Sequence, residues 1–105
     1  MRESAIEARL VKAVEKAGGL CLKWTSPGNP GVPDRIVIAP GGRVIFVELK
    51  TQIGRLAAIQ RWQIGRMKDR GADVRVVKGL EAAMGLAEEL SCAGKEAWPD
   101  GVQPS

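Results

Sequence analysis

Apolar and polar positions alternate with two different periods along this chain. Ile6, Leu10, Ala13, Val14 and Ala17 recur at helical spacing and predict a first helix from about Ser4 to Ala17, stopped by Gly18-Gly19. LCLKWT (Leu20–Thr25) alternates as a strand. SPGNPGVP (Ser26–Pro33) must be a loop, since three prolines and two glycines fit no regular element. Arg35–Ala39 and Arg43–Lys50 read as two strands of a hairpin around a Pro-Gly-Gly turn. A second helix is expected over Arg55–Arg70, anchored by Ile59 and Trp62 and closed by Gly71. Ala72–Val77 reads as a strand and Leu80–Leu90 as a last helix. From Ser91 the chain loses its periodicity, so residues 1–90 are expected to form one domain and 91–105 a frayed tail.

The order α-β-β-β-α-β-α predicts an α/β fold: a small mixed sheet flanked by helices, its last two strands parallel through a helical crossover. Both faces of VIFVELK are apolar, which predicts a central strand covered on both sides. Trp24 and Trp62 read as core.

The hairpin carries the chemistry. With Ala39 opposite Arg43, each residue pairs with the one that completes a sum of 82, and Asp34 falls opposite Glu48. Directly opposed side chains on paired strands have Cβ atoms about 4.5–5.5 Å apart. Glu48 and Lys50 share a face, with Leu49 turned away. Two carboxylates at the edge of a core must take up a proton or share a cation. Mg²⁺ or Mn²⁺ suits such hard oxygen donors. A lysine beside them can orient or help deprotonate a water, or stabilise developing negative charge, which suits phosphodiester hydrolysis. A plain strand-end salt bridge among Asp34, Arg35, Glu48 and Lys50 is the alternative, and it leaves the whole constellation unexplained.

Composition narrows the chemistry further. The 105 residues contain no histidine and no tyrosine. Histidine bases, tyrosine nucleophiles and His-ligated zinc are therefore excluded. Cys21 and Cys92 are isolated and read as free thiols of a reducing compartment. No apolar run approaches a bilayer span, and MRESAIEARL has acids where a signal peptide needs an apolar core, so cytoplasmic localisation is expected. Charge is uneven: residues 43–78 carry nine basic and three acidic side chains, and residues 79–105 one basic and five acidic. The basic middle suggests a polyanion partner.

Pro33-Asp34, thirteen intervening residues and Glu48-Leu49-Lys50 are similar to the PD-(D/E)xK nuclease signature. An acid on the first helix (Glu7), then Gly31-Val32-Pro33-Asp34-Arg35, Glu48-Leu49-Lys50 and finally Gln60 on the next helix resemble, in that order, the VRR-NUC branch over about residues 3–85. The resemblance implies a restriction-endonuclease-like core and a divalent-metal phosphodiesterase acting on DNA. Branched DNA such as four-way junctions is a substrate associated with the group, as are dimeric phage enzymes. It implies Asp34, Glu48, Glu7 and the backbone carbonyl of Leu49 as metal ligands, Lys50 as the group that activates water, and Gln60 as a holder of water or phosphate. No small-molecule cofactor is expected.

Glu7 also has a capping reading, since Ser4-Ala5-Ile6-Glu7 fits a capping box. Its side of the helix, shared with Leu10, Val11 and Val14, favours membership of the site. Arg55, Arg61, Arg66 and Lys68 on the second helix, with Lys23 before the loop, are the candidate DNA contacts. A homodimer is expected, because cutting two strands in concert calls for two sites, with residues 2–17 and 80–90 as its expected interface. The competing functions are a non-catalytic DNA-binding module on the same fold and a sequence-specific restriction-type enzyme. Intact Asp34, Glu48 and Lys50 argue against the first, and 105 residues leave little room for the recognition elements of the second.

Overall fold

A computed structural model of the protein describes the backbone of residues 1–97 and the side chains of residues 1–91. Its elements follow the expected order: α1 (Glu3–Lys16), β1 (Leu20–Lys23), β2 (Arg35–Ile38), β3 (Val44–Lys50), α2 (Ala58–Asp69), β4 (Val74–Lys78) and α3 (Gly79–Ala97). The sheet runs β1-β2-β3-β4, antiparallel except for the parallel β3–β4 pair joined through α2. The last helix continues past Leu90 to Ala97, because no proline interrupts the chain before Pro99. The rest of the expected tail, residues 98–105, lies outside the described residues.

The hairpin register is the expected one. Arg35 pairs with Val47, Ile36 with Phe46, Val37 with Ile45 and Ile38 with Val44. Gly41 and Gly42 both have φ near +90°, and the Gly42 amide donates to the Ala39 carbonyl at 2.9 Å. Only glycine adopts two such conformations in succession at little cost, so the Pro-Gly-Gly turn fixes which residues face each other.

One sheet face is fully covered. Cys21, Val37, Ile45, Val47 and Leu49 pack beneath Ile6, Leu10 and Val14 of α1 and Ala83, Leu86, Ala87 and Leu90 of α3. These helices spend their apolar residues on the core, which leaves the expected interface at 2–17 and 80–90 without an apolar stripe. The opposite face is covered over only part of its width. Trp24 leans on Phe46, with ring centroids 5.2 Å apart, while Leu20, Leu22 and Val44 stay 44–52% exposed on the β1 side. Two cross-strand rows, Leu20–Ile38–Val44 and Leu22–Ile36–Phe46, run across this face.

The anchors of α2 differ from those expected. Ile59 is 43% and Trp62 56% exposed, and the buried residues of the helix are Gln63 and Ile64. At 100° per residue, Gln60, Gln63, Ile64 and Met67 form the inward side and Trp62 points away. The inward amides have partners: Gln63 Nε2 donates to the Pro30 carbonyl (3.4 Å), and its Oε1 accepts from Arg66 (3.0 Å). A salt-bridge network joins Arg43 of the hairpin turn, Asp73 and Arg75 beside and on β4, and Glu89 of α3, and holds both carboxyls below the usual carboxylate range.

Gly31 marks where the loop meets α2. Its φ is +89°, and a Cβ there would lie 2.5 Å from the Ile59 carbonyl oxygen. Gly31→Ala is therefore expected to destabilise the fold by about 2–4 kcal/mol, through backbone strain and a clash that only separation of loop and helix relieves. Chemical denaturation measures this; a change below 1 kcal/mol would show that the contact is dispensable.

Candidate active site

Asp34 sits one step beyond the β2–β3 ladder. Its backbone carbonyl accepts from the Trp24 amide at 2.8 Å, which ties the end of β1 to the acid. Its Oδ1 accepts from the Leu49 amide at 3.3 Å across the hairpin. Burial pushes the Asp34 carboxyl above its ordinary pKa, the Leu49 amide opposes this, and the Glu7 charge adds to it.

Glu48 is only 4% exposed. Its pKa is raised to about 7, first by burial, then by the Asp34 charge, with Lys50 opposing and Glu3 adding. Lys50 Nζ stands 3.7 Å from Glu48 Oε2. Gln60 reaches the same oxygen from α2: its Nε2 donates to Glu48 Oε2 at 3.2 Å, and its Oε1 accepts from the Ala57 amide at the helix start (2.9 Å). The glutamine thus caps its own helix and holds the carboxylate at once.

The third carboxylate is Glu3. One oxygen from each of Glu3, Asp34 and Glu48 lies within 4.8 Å of the other two. Glu7, one turn further along α1, is paired instead with Arg35 at 3.1 Å. Arg35 also donates to the Cys21 carbonyl at 3.3 Å, and its buried Nε has no partner. An arginine largely shielded from water beside the core needs a counter-charge more strictly than a carboxylate at the cluster's edge does, so it takes Glu7. The capping box also gives way, for α1 starts at Glu3 with Arg2 as N-cap and no side-chain cap. Sequence carried one usable signal for Glu3: it lies four residues before Glu7, on the same side of the helix.

The candidate DNA contacts lie at the protein surface. Arg55, Arg61, Arg66, Lys68 and Lys23 are all exposed. Arg61 donates to the Leu56 carbonyl at 2.8 Å, and the Arg66 guanidinium lies over the Trp62 ring at 4.5 Å. Of the expected site residues, the fold therefore brings Asp34, Glu48, Lys50 and Gln60 together with the Leu49 backbone, adds Glu3, and turns Glu7 to Arg35.

No protein-family profile matches the chain. "Putative nuclease p44" of Acyrthosiphon pisum secondary endosymbiont phage 1 is 54% identical over 50 residues, 48% of this chain and 54% of that protein, so the similarity spans about half of the relative's length. A solved structure described as a VRR_NUC domain superposes with a TM-score of 0.76 and 32% identity, over 82% of this chain and 94% of its own. This chain belongs to the VRR-NUC family. The four-stranded sheet with its three helices is accordingly a VRR-NUC core, and the carboxylates stand where its central hairpin opens. Among the described residues, no helix of this VRR-NUC chain is long and apolar enough to cross a membrane.

Proposed function

We propose that this VRR-NUC chain is a divalent-metal-dependent DNA endonuclease that prefers branched DNA. The observation that carries the reading is the convergence of Glu3, Asp34 and Glu48 within 4.8 Å, with Lys50 Nζ 3.7 Å from Glu48, on a chain 32% identical to a VRR_NUC domain.

The donor set fits Mg²⁺ or Mn²⁺. All three side chains offer hard oxygens, and the nearby acids help raise Glu48 to about 7, a tension that a cation relieves. Asp34, Glu48 and Glu3 would hold the ion, with the Leu49 carbonyl as a backbone ligand. A bound divalent ion would supply charge neutralisation at the phosphate and a lowered pKa for the attacking water. Lys50 would orient that water and stabilise charge developing on the phosphate oxygens. Gln60, fixed by the Ala57 amide, would keep Glu48 Oε2 in place. Arg55 just before α2, Arg61, Arg66 and Lys68 on it, and Lys23 would hold phosphates of the DNA backbone. The setting in which this would act is the cytoplasm of a bacterial or phage-infected cell.

The active unit would be a homodimer, since two strands cut in concert need two sites at fixed separation. The bare apolar rows of Leu20, Leu22 and Val44 support a sheet-face contact between copies. Sedimentation equilibrium at micromolar concentration should give twice 11.2 kDa for the wild type and 11.2 kDa for Leu22→Asp. A wild-type monomer with and without DNA would exclude the dimer.

The deciding experiment is incubation with linear duplex, flap, splayed and four-way-junction DNA in Mg²⁺, Mn²⁺ or EDTA. Cleavage is expected with either metal, fastest on the junction, and none in EDTA. Cleavage undiminished in EDTA, or binding without cleavage under every condition, would overturn the reading; the second result would indicate a non-catalytic module.

A further inference from the structure

We propose that the cleft between the loop at residues 26–32 and α2 receives one extrahelical nucleotide of the DNA, beside the phosphate to be cut. The proposal rests on the nuclease reading above and names the feature of DNA that the protein selects.

The cleft has a volume of about 230 Å³. That is below the roughly 300 Å³ at which pockets for drug-sized ligands begin, and suits a single heterocycle better than a base pair. Trp24, Val32 and Met67 supply apolar walls, and exposed Asn29 supplies an amide for the edge of a base, beside the buried Gln63 that fixes the wall. Arg66 and Arg70 line it as well, one helical turn apart. A nucleotide combines these same three parts: a flat ring, polar edges and an anionic phosphate.

Both walls continue from the active-site cluster. Trp24 is bonded through its amide to the Asp34 carbonyl at 2.8 Å. Gln63 lies three residues beyond Gln60, roughly 4.5 Å along the helix axis. A phosphate at the carboxylates therefore places a neighbouring nucleotide within reach of the cleft.

The receptor is built before any ligand arrives. Phe46 backs the Trp24 indole, which keeps part of its surface open. Gln63 fastens α2 to the loop through the Pro30 carbonyl, and Asn29 Nδ2 donates to Ser26 Oγ at 3.0 Å across the loop. Arg66 is held by Gln63 Oε1 at 3.0 Å, and Arg70 by the Arg66 carbonyl at 3.0 Å. Such fixed guanidinium groups match phosphate geometry.

A paired, stacked base cannot enter such a cleft. It must leave the helix, and this costs least where the base is already unpaired, at a bulge, mismatch or branch point. The cleft thus converts local distortion of DNA into affinity.

The test is binding, read by fluorescence anisotropy in EDTA so that no cleavage intervenes. Three DNAs are compared: a linear duplex, the same duplex with a one-nucleotide bulge, and that bulge carrying an abasic sugar. The wild type should bind the bulged DNA about tenfold tighter than the abasic bulge, the loss expected for one stacked base. Met67→Trp, which fills the cleft, should bind both alike. Equal wild-type affinity for base and abasic bulges overturns the proposal, as does a base-dependent difference that survives in folded Met67→Trp. Cleavage of the same DNAs in Mg²⁺ is scored separately. Base-dependent binding without cleavage would retain the cleft and sink the nuclease reading, and cleavage without base dependence would do the reverse.

Discussion

Glu48→Gln should melt at a higher temperature than the wild type at pH 8 in the absence of metal, and should lose nearly all cleavage of DNA. Folding raises the Glu48 pKa from 4.5 to about 7. Between those values the folded chain holds a proton that the unfolded chain has released, so wild-type stability falls as pH rises through this window and stays low above it. The shift corresponds to about 3 kcal/mol at pH 8. Glutamine keeps the shape and the oxygen that accepts from Gln60, and removes the charge. For a domain of this size the gain is roughly 12–15 °C in melting temperature. At pH 4.5 or below the two proteins should melt within a few degrees of each other. Millimolar Mg²⁺ should stabilise the wild type and leave the variant unmoved, because ion binding to the folded state alone adds to stability. Cleavage should fall by a factor on the order of 10³, the scale of losing a group that places charge against the transition state. A variant that melts no higher than the wild type at pH 8, or that cuts DNA within tenfold of it, removes Glu48 from its assigned role.

Replacing Arg61, Arg66 and Lys68 together by alanine should change how DNA binding responds to salt. Each phosphate neutralised on duplex DNA contributes about 0.9 to the slope of log affinity against log salt. If all three side chains meet phosphates, the slope should shrink by roughly 2–3, with the largest affinity loss at low salt and the same loss for every DNA sequence. Arg61 and Lys68 lie on one flank of α2, and Arg66 and Arg70 on the other, beside the cleft. Arg61→Ala/Lys68→Ala alone should therefore flatten the slope without touching base-dependent binding. Unchanged affinity and slope in the triple variant would remove α2 as the backbone-contacting surface.

Sequence alone determined the order of the elements and the opposition of Asp34 and Glu48. Local rules suffice for both. Side chains alternate strictly along a strand, and a two-glycine turn admits one register, so a slip by a single residue would drive Val47 and Leu49 out of the core. The same alternation places Lys50 on the Glu48 face. Tertiary structure decided what reaches that hairpin from elsewhere. Glu3 and Glu7 lie one turn apart on the same side of α1, and which of them joins the acids depends on the height at which the helix crosses the sheet and on the demand of half-buried Arg35 for a partner. Nothing in the local pattern encodes that height. On α2, an apolar ranking selects Ile59 and Trp62 as anchors. The fold instead turns Gln60 and Gln63 inward, because each finds hydrogen-bond partners contributed by distant segments, Glu48 and the Pro30 carbonyl. A buried amide is favourable only when such partners exist, and only the folded chain supplies them.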